Sequence, residues 1–349
     1  MDLIIFVVAL SILVLVHEFG HFFAAKITGV KVEEFGLGLP PRIIGKKWKG
    51  TIWSLNWLPI GGFCKLFGED VTDETVINKK DSFLSKNPWQ KALIVLGGVL
   101  MNMVLAITIF TVVYGIMGVP KEVDRVMVIG VAKNSPAEKA GIKEDEVINS
   151  INGMEIKKGQ ELIDEANKNK GKKVKMMVNQ REVEIEIREK PPEGEGSMGV
   201  VISNTVMEKI KWYEFNKSIG AGFKEAFYWG KIIFEGVTKM ITGVFTGKMP
   251  KDVAGPIGMY QATTSIKQNQ GMLALIHFFG IVSVNLAVVN VLPFPALDGG
   301  RIIFVIYEFI FRKRVNQKFE TVVNNLGMYF LLTMTLLITV GDLLRVLGR

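Results

Sequence analysis

Four stretches of the chain are apolar for long enough to cross a lipid bilayer, and charged segments separate them. They cover roughly residues 3–25, 91–117, 271–292 and 325–347. Because a membrane-spanning helix needs about 20 predominantly apolar residues, each stretch predicts one such helix. The pattern therefore predicts a polytopic α-helical membrane protein with four transmembrane helices.

A different pattern occupies residues 28–90. Residues Thr51 to Leu58 alternate between apolar and polar types, and Gly- and Pro-containing segments flank them, which predicts short strands and turns. Trp48, Trp53 and Trp57 are typical of a membrane interface. We interpret this region as a membrane-associated β-hairpin, with an ordinary cytoplasmic loop as the alternative.

Residues 119–204 have the pattern of an inserted α+β domain, in which short β-rich runs alternate with charged turns. The segment from Asn134 to Gly153 resembles the core of a PDZ domain, where a short helix precedes a strand and a tight Asn-Gly turn. PDZ domains bind extended peptides by strand addition. No Gly-Leu-Gly-Phe-type carboxylate loop stands out, so peptide binding and a steric or scaffold role are both open.

Residues 205–270 combine aromatic and basic side chains. Phe223, Phe227 and Phe234 recur at near-helical spacing, while lysines and glutamates interrupt the run too often for a span. An amphipathic helix in the outer membrane interface fits this pattern. A soluble helix packed on the PDZ-like domain is the alternative.

These patterns divide the chain into segments. They are a first transmembrane helix (1–27), a cytoplasmic or membrane-reentrant β region (28–90), a second transmembrane helix (91–118), an extracytoplasmic PDZ-like domain (119–204), amphipathic interfacial helices (205–270), a third transmembrane helix (271–300), a cytoplasmic loop (301–324) and a fourth transmembrane helix (325–349).

Composition and charge agree with a membrane protein. Of the 349 residues 49% are hydrophobic, and the mean hydropathy is +0.30, which is high for a soluble protein. The single cysteine, Cys64, excludes an intramolecular disulfide framework. A net charge of +8 suits a protein that faces anionic lipid, and the sequence has no basic stripe that would bind nucleic acid.

The basic residues predict the orientation. Arg42, Lys46, Lys47 and Lys49 follow the first span, whereas only Asp2 is charged before His17. The positive-inside rule then places 28–90 in the cytoplasm and 118–270 outside, although basic residues at the external C-terminus oppose this scheme. The N-terminus lacks the basic region and cleavage site of a signal peptide, so we expect the first helix to be retained.

The first span contains H-E-F-G-H, from His17 to His21. Residues four apart share a helix face, so both imidazoles can bind one zinc ion while Glu18 acts as general base toward a metal-bound water. Ionisable groups at this depth are costly and usually functional. The alternative is a helix whose histidines hydrogen-bond to neighbouring helices.

A third ligand is expected at the end of the third span, in N-V-L-P-F-P-A-L-D-G-G from Asn290 to Gly300. The prolines break the helix near Asp298. Because the first and third spans run in the same direction, His17, His21 and Asp298 are expected to meet near the cytoplasmic side.

The two motifs and the intervening PDZ-like domain resemble the site-2 protease family of intramembrane zinc metalloproteases, particularly its bacterial PDZ-containing regulators of envelope stress and sporulation. G-L-G-L-P from Gly36, P-I-G-G-F from Pro59 and V-A-G-P-I-G from Val253 also match. The resemblance implies Zn²⁺ held by the two histidines and Asp298, with Glu18 activating water. It also implies a multi-pass protein of the bacterial inner membrane.

The resemblance points to four substrate-binding residues. Gly36 and Gly38 match a G-x-G segment of a membrane-associated hairpin, whose exposed edge can pair with an unwound substrate. G-V-L-M-N in the second span matches the family's G-P-x-x-N except at Val99. Asn102 and Asn290 can grip substrate or a carbonyl oxygen, or else form interhelical hydrogen bonds.

The implied function is an endopeptidase that hydrolyses transmembrane segments of single-span proteins, such as anti-sigma factors or remnant signal peptides. Its partners would be these substrates, the lipid bilayer and an upstream site-1-type protease, with the PDZ-like domain as a size filter. A non-catalytic membrane scaffold that binds peptides through that domain is the alternative. A zinc transporter would need polar pairs along a path, whereas here they converge.

Overall fold

The computed structural model describes residues 1–69, 74–192, 195–246 and 255–346. Its helices are α1 (Asp2–Ile27), α2 (Glu74–Ile77), α3 (Pro88–Met117), α4 (Pro136–Lys139), α5 (Gly159–Lys168), α6 (Phe215–Thr246), α7 (Pro256–Val291), α8 (Asp298–Phe311) and α9 (Gln317–Val346). Its strands are β1 (Val32–Trp48), β2 (Thr51–Leu66), β3 (Val119–Val131), β4 (Val147–Ile151), β5 (Met154–Glu155), β6 (Lys173–Val178), β7 (Arg181–Glu186) and β8 (Val200–Glu208).

Within the described residues, four helices are long and apolar enough to cross a membrane: α1, α3, α7 and α9. The prediction of four candidate spans is therefore confirmed. Helix α7 begins at Pro256, earlier than the apolar stretch, and Gly271 interrupts it with φ +87°. The amphipathic helix α8 begins at Asp298, within the predicted third span 271–300, and extends to Phe311 in the predicted loop 301–324. Val253 and Ala254, which open the V-A-G-P-I-G motif, lie outside the described residues.

The described chain divides into two units, one made of Met1–Val113 with Asn216–Arg349 and the other of Tyr114–Phe215. The second unit contains an antiparallel sheet in the order β7-β6-β4-β3-β8, with β5 paired to β4. Its core contains alternate strand residues such as Val126 and Ile148 together with Leu162 of α5. Strands and short helices occur here as predicted, while the PDZ-like assignment stays a prediction.

In the first unit, α1 and α3 pack backbone against backbone. A Cβ added at Gly20 would lie 2.1 Å from the carbonyl oxygen of Gly97, and one at Gly97 would lie 2.5 Å from that of Gly20. Small residues allow such close approach between membrane helices. The approach sets the middle of α1, which carries the H-E-F-G-H motif, directly against residues 94–98 of α3.

The β1–β2 hairpin is folded so that β1 has partners on both sides. Phe35 pairs with Cys64 and Trp53, and Gly36 pairs with Phe63 and Ser54. The prediction that Gly36 lies on an exposed edge is therefore wrong. The reason is that β2 is long and bent and returns past β1, so the end of β2 from Gly62 to Leu66 forms an outer edge instead.

The far end of this hairpin exposes large apolar side chains. Ile43, Ile44, Trp57 and Leu58 are each more than half exposed. An exposed apolar patch of this kind marks a membrane or protein contact. This finding supports the interpretation of the hairpin as a membrane-associated element.

Asp342 on α9 caps the start of α7. Its Oδ2 accepts hydrogen bonds from the backbone N–H groups of Gly255 and Gly258, both at 2.9 Å, and the side chain is 5% exposed. We expect Asp342→Ala to lower the free energy of unfolding by about 1.5–3 kcal/mol, because hydrogen bonds to a charged group are lost at a helix N-terminus. Denaturant titration in detergent micelles measures the effect. Asp342→Asn, which retains one acceptor oxygen, should lose less, and equal stability of the alanine variant and wild type would contradict the prediction.

Candidate metal centre

The two histidines of α1 and the aspartate of α8 converge on one point. His17 Nε2 lies 3.2 Å from His21 Nε2, and Asp298 Oδ2 lies 3.0 Å from the first nitrogen and 3.4 Å from the second. This cluster of potential metal ligands is largely buried. The sequence predicted these three residues as a set, and the structure brings them together.

The spacing of these atoms fits a zinc ion. Ligand atoms about 2.0–2.1 Å from zinc in a tetrahedral arrangement lie about 3.3 Å from one another, and the three observed separations are 3.0, 3.2 and 3.4 Å. Asp298 Oδ2 is buried and has no regular hydrogen-bond partner among the described residues. Two imidazoles and one carboxylate also form a donor set that zinc prefers.

Asp298 reaches the histidines because the chain turns tightly between α7 and α8. A Cβ at Gly299 would lie 2.1 Å from the carbonyl oxygen of Leu292, and one at Gly300 would lie 2.3 Å from that of Phe294. Only glycine fits against the backbone at these positions. The glycines of L-D-G-G therefore let the first turn of α8 fold back onto the end of α7, with Asp298 as its first residue.

Glu18 lies beside the cluster in a cavity of about 240 Å³, whose lining includes His17, His21, Cys64 and Asp298. Its carboxylate lies beside the backbone N–H of Cys64, which also lines the cavity. Burial raises the pKa of the Cys64 thiol, so the group stays protonated, and only the thiolate is an effective metal ligand.

The outer edge of β2 faces this cavity. Phe63, Cys64 and Leu66 of this edge line the cavity. A Cβ at Gly62 would lie 3.8 Å from Cγ of Glu18. The strand edge next to the carboxylate is thus 62–66, one strand away from Gly36.

The other predicted substrate residues have different surroundings. Asn102 is fully buried against His17, with Nδ2 at 3.3 Å from Nδ1, and Asn290 is half-buried in the last turn of α7. Neither lines the cavity described above. The amide of Asn56 donates to the carbonyl oxygen of Gly38 at 3.2 Å, so Gly38 is held within the hairpin.

Two features of the site were missed from sequence. Arg301 forms an ion pair with Glu69, and both side chains line the cavity beside Asp298 and a neighbouring cavity of about 660 Å³. The carbonyl oxygen of Ile94 on α3 accepts a hydrogen bond from His21 Nδ1 at 2.9 Å. No motif indicates the first contact, whereas the Gly97-Gly98 pair signals the close helix approach behind the second.

These converging side chains on apolar helices are typical of a membrane metalloprotease. Comparison with known proteins identifies the family. Residues 5–334 match the model of Peptidase family M50. The chain belongs to this family, which is the site-2 protease family and uses zinc. It is accordingly a zinc metalloprotease.

Individual relatives agree over nearly their whole length. A protein of Clostridium perfringens is 33% identical, with 99% of each chain covered. One of Campylobacter jejuni is 32% identical over 98% of this chain and 93% of its own, and one of Clostridium acetobutylicum is 31% identical over 98% and 97%. Each of the three bears the name "Putative zinc metalloprotease".

Proposed function

We propose that this chain is an intramembrane endopeptidase that hydrolyses peptide bonds in the transmembrane segments of single-span membrane proteins. The observation that carries the proposal is the convergence of His17, His21 and Asp298 to separations of 3.0–3.4 Å beside Glu18, with both histidines on an apolar helix long enough to span a bilayer.

In this proposal His17, His21 and Asp298 would hold a zinc ion. The chemistry that zinc would supply when bound is acidification of the attacking water and polarisation of the substrate carbonyl. Glu18 takes the proton from the attacking water and passes it to the leaving amine. The Cys64 N–H, which lies beside the Glu18 carboxylate, is proposed to orient it for both transfers.

The substrate backbone is proposed to pair with the edge 62–66 of β2. An intact helix shields its peptide bonds, and addition of an extended segment to a sheet edge exposes them. Phe63, Cys64 and Leu66 of this edge line the cavity that contains Glu18. Gly36 and Gly38 then contribute only indirectly, because they belong to β1, the strand that pairs with this part of β2.

The remaining elements are assigned by their chemistry. The unit Tyr114–Phe215 is proposed to be the extracytoplasmic PDZ-like domain that admits only substrates already shortened by an upstream protease. The basic residues after α1 support a cytoplasmic hairpin and a metal site near the cytoplasmic side of the bacterial inner membrane. Substrates of this architecture include anti-sigma factors and remnant signal peptides.

Replacing Glu18 with glutamine tests the catalytic proposal. We expect the purified variant to bind zinc like wild type but to cleave a model transmembrane substrate about 10²–10⁴-fold more slowly, because glutamine cannot accept the proton. Zinc content by elemental analysis and cleavage in proteoliposomes provide the two readouts. Undiminished cleavage by the variant would refute the mechanism, and a wild-type protein that neither binds zinc nor cleaves would favour the scaffold.

A further inference from the structure

Helix α3 forms the wall behind the two histidines, and it does so through residues one helical turn apart. Gly98 and Asn102 are four positions apart and share a face of the helix. Gly98 adjoins the metal-facing nitrogens of both histidines, while Asn102 adjoins the opposite ring nitrogen of His17. The two residues that begin and end G-V-L-M-N therefore contact the metal centre.

Gly98 leaves the space in which the two imidazoles meet. A Cβ at this position would lie 2.5 Å from His21 Nε2 and 2.7 Å from His17 Nε2. Real Cβ atoms do not approach other atoms so closely, so any larger residue would displace the nitrogens that face Asp298.

Asn102 contacts the other ring nitrogen of His17. Its side chain is fully buried, its Nδ2 lies 3.3 Å from His17 Nδ1, and its Oδ1 has no hydrogen-bond partner among the described residues. The oxygen and nitrogen of an amide are assigned from the hydrogen-bond network. A half-turn of the amide places Oδ1 opposite Nδ1, so that the oxygen can accept a hydrogen bond from a protonated Nδ1.

The tautomer of His17 decides between the two amide orientations. A histidine that binds metal through Nε2 carries its proton on Nδ1 and needs an acceptor there. His21 already has such an acceptor, since its Nδ1 donates to the Ile94 carbonyl oxygen at 2.9 Å.

The backbone of Asn102 is held separately from its side chain. The hydroxyl of Ser283 donates to the backbone carbonyl oxygen of Asn102 at 2.8 Å and so links this part of α3 to α7.

We propose that G-V-L-M-N on α3 is the outer shell of the metal centre and does not bind substrate. Gly98 provides the space for the two Nε2 atoms, and Asn102 Oδ1 accepts a hydrogen bond from His17 Nδ1 and holds His17 in the metal-binding tautomer. Asn102 is thus a positioning residue. This inference rests on the proposed zinc site and assigns a task to residues that are absent from the cavity lining.

Zinc affinity tests this assignment without reference to activity. Competition with a chelator, on the full-length protein in detergent, should show about 10–100-fold weaker binding for Asn102→Leu, the usual effect of losing an outer-shell partner. Asn102→Asp, whose carboxylate accepts the same hydrogen bond, should bind zinc no more weakly than wild type. Gly98→Ala should lose at least as much affinity as Asn102→Leu.

Matched controls separate these effects from general damage to the helices. Gly220→Ala adds a methyl group in α6 where nothing lies within 4 Å, and Thr111→Val changes a buried polar residue elsewhere on α3. Both should leave zinc affinity unchanged. The absorption spectrum of the Co²⁺-loaded protein should change for Asn102→Leu and not for either control, because it reports ligand geometry.

Specific results would overturn the assignment. Wild-type zinc affinity in Asn102→Leu would do so, as would equal weakening by leucine and aspartate. If the leucine variant does not fold, Asn102→Ser replaces it, and affinity in the order serine below aspartate is expected, because the shorter hydroxyl does not reach Nδ1. A wild-type protein without zinc would instead refute the proposed function itself, and the two failures are therefore distinguishable.

Discussion

Replacing Asp298 with alanine is expected to release zinc and abolish cleavage together. Asp298 Oδ2 lies 3.0 and 3.4 Å from the two histidine nitrogens and is the only carboxylate oxygen in the cluster found among the described residues. Its loss leaves two protein ligands, so zinc affinity should fall by more than the roughly 10–100-fold that an outer-shell partner contributes. Elemental analysis after gel filtration measures the metal, and cleavage of a transmembrane substrate measures the activity.

Glu18→Gln is the matched control for this variant. Both changes remove a negative charge from the same cavity, but only Asp298→Ala removes a ligand. The control should therefore keep zinc while losing activity. Asp298→Ala protein that retains stoichiometric zinc would show that the third ligand is another residue, and the topology proposed for α8 would need revision.

Breaking the ion pair between α3 and α8 is expected to produce the largest loss of stability. Lys91 Nζ lies 2.6 Å from Glu308 Oε2, and the lysine side chain is 2% exposed. Removing one partner of a fully buried pair typically costs about 3–5 kcal/mol, and here Arg314 Nε, 3.9 Å from Glu308 Oε1, compensates the remaining charge in part. Lys91→Met should therefore lower the free energy of unfolding by up to about 3 kcal/mol, measured by denaturant titration in detergent micelles.

Two further variants make this expectation specific. The double variant Lys91→Met with Glu308→Met should recover most of the lost stability, because an apolar pair can replace a buried ion pair at little cost. Lys231→Ala removes an exposed i,i+4 partner of Glu235 at 3.9 Å and should change stability by less than about 1 kcal/mol. A double variant as unstable as Lys91→Met would contradict the electrostatic explanation.

The residues predicted best from sequence are those whose geometry is local. His17 and His21 share a helix face because of the 3.6-residue period, and hydropathy alone places them in a span. Asp298 is 277 positions beyond His21, yet a motif and the count of spans were sufficient to associate it with them. The tight turn that brings it there is also encoded locally, in the glycines that follow it.

Predictions about sheet edges and buried amides were less successful. Gly36 was placed on an exposed edge, but the bend of β2 gives it partners on both sides. Alternation along a strand indicates which residues share a face, and it carries no information about how many neighbours a strand acquires. The sequence leaves Asn102 open between substrate binding and an interhelical hydrogen bond, and only the packing of α1 on α3 shows that it contacts His17.

Sequence alone is sufficient to predict the four candidate membrane-spanning helices, the pair of histidines with its glutamate, and the aspartate after the third span, because each depends on periodicity, length or a short motif. The surroundings of these residues become visible only in the folded chain. Edge 62–66 faces Glu18, and Gly98 and Asn102 lie behind the histidines, because these contacts join distant segments through close packing of backbones. Such packing depends on the shapes of both partners at once, which no single segment encodes.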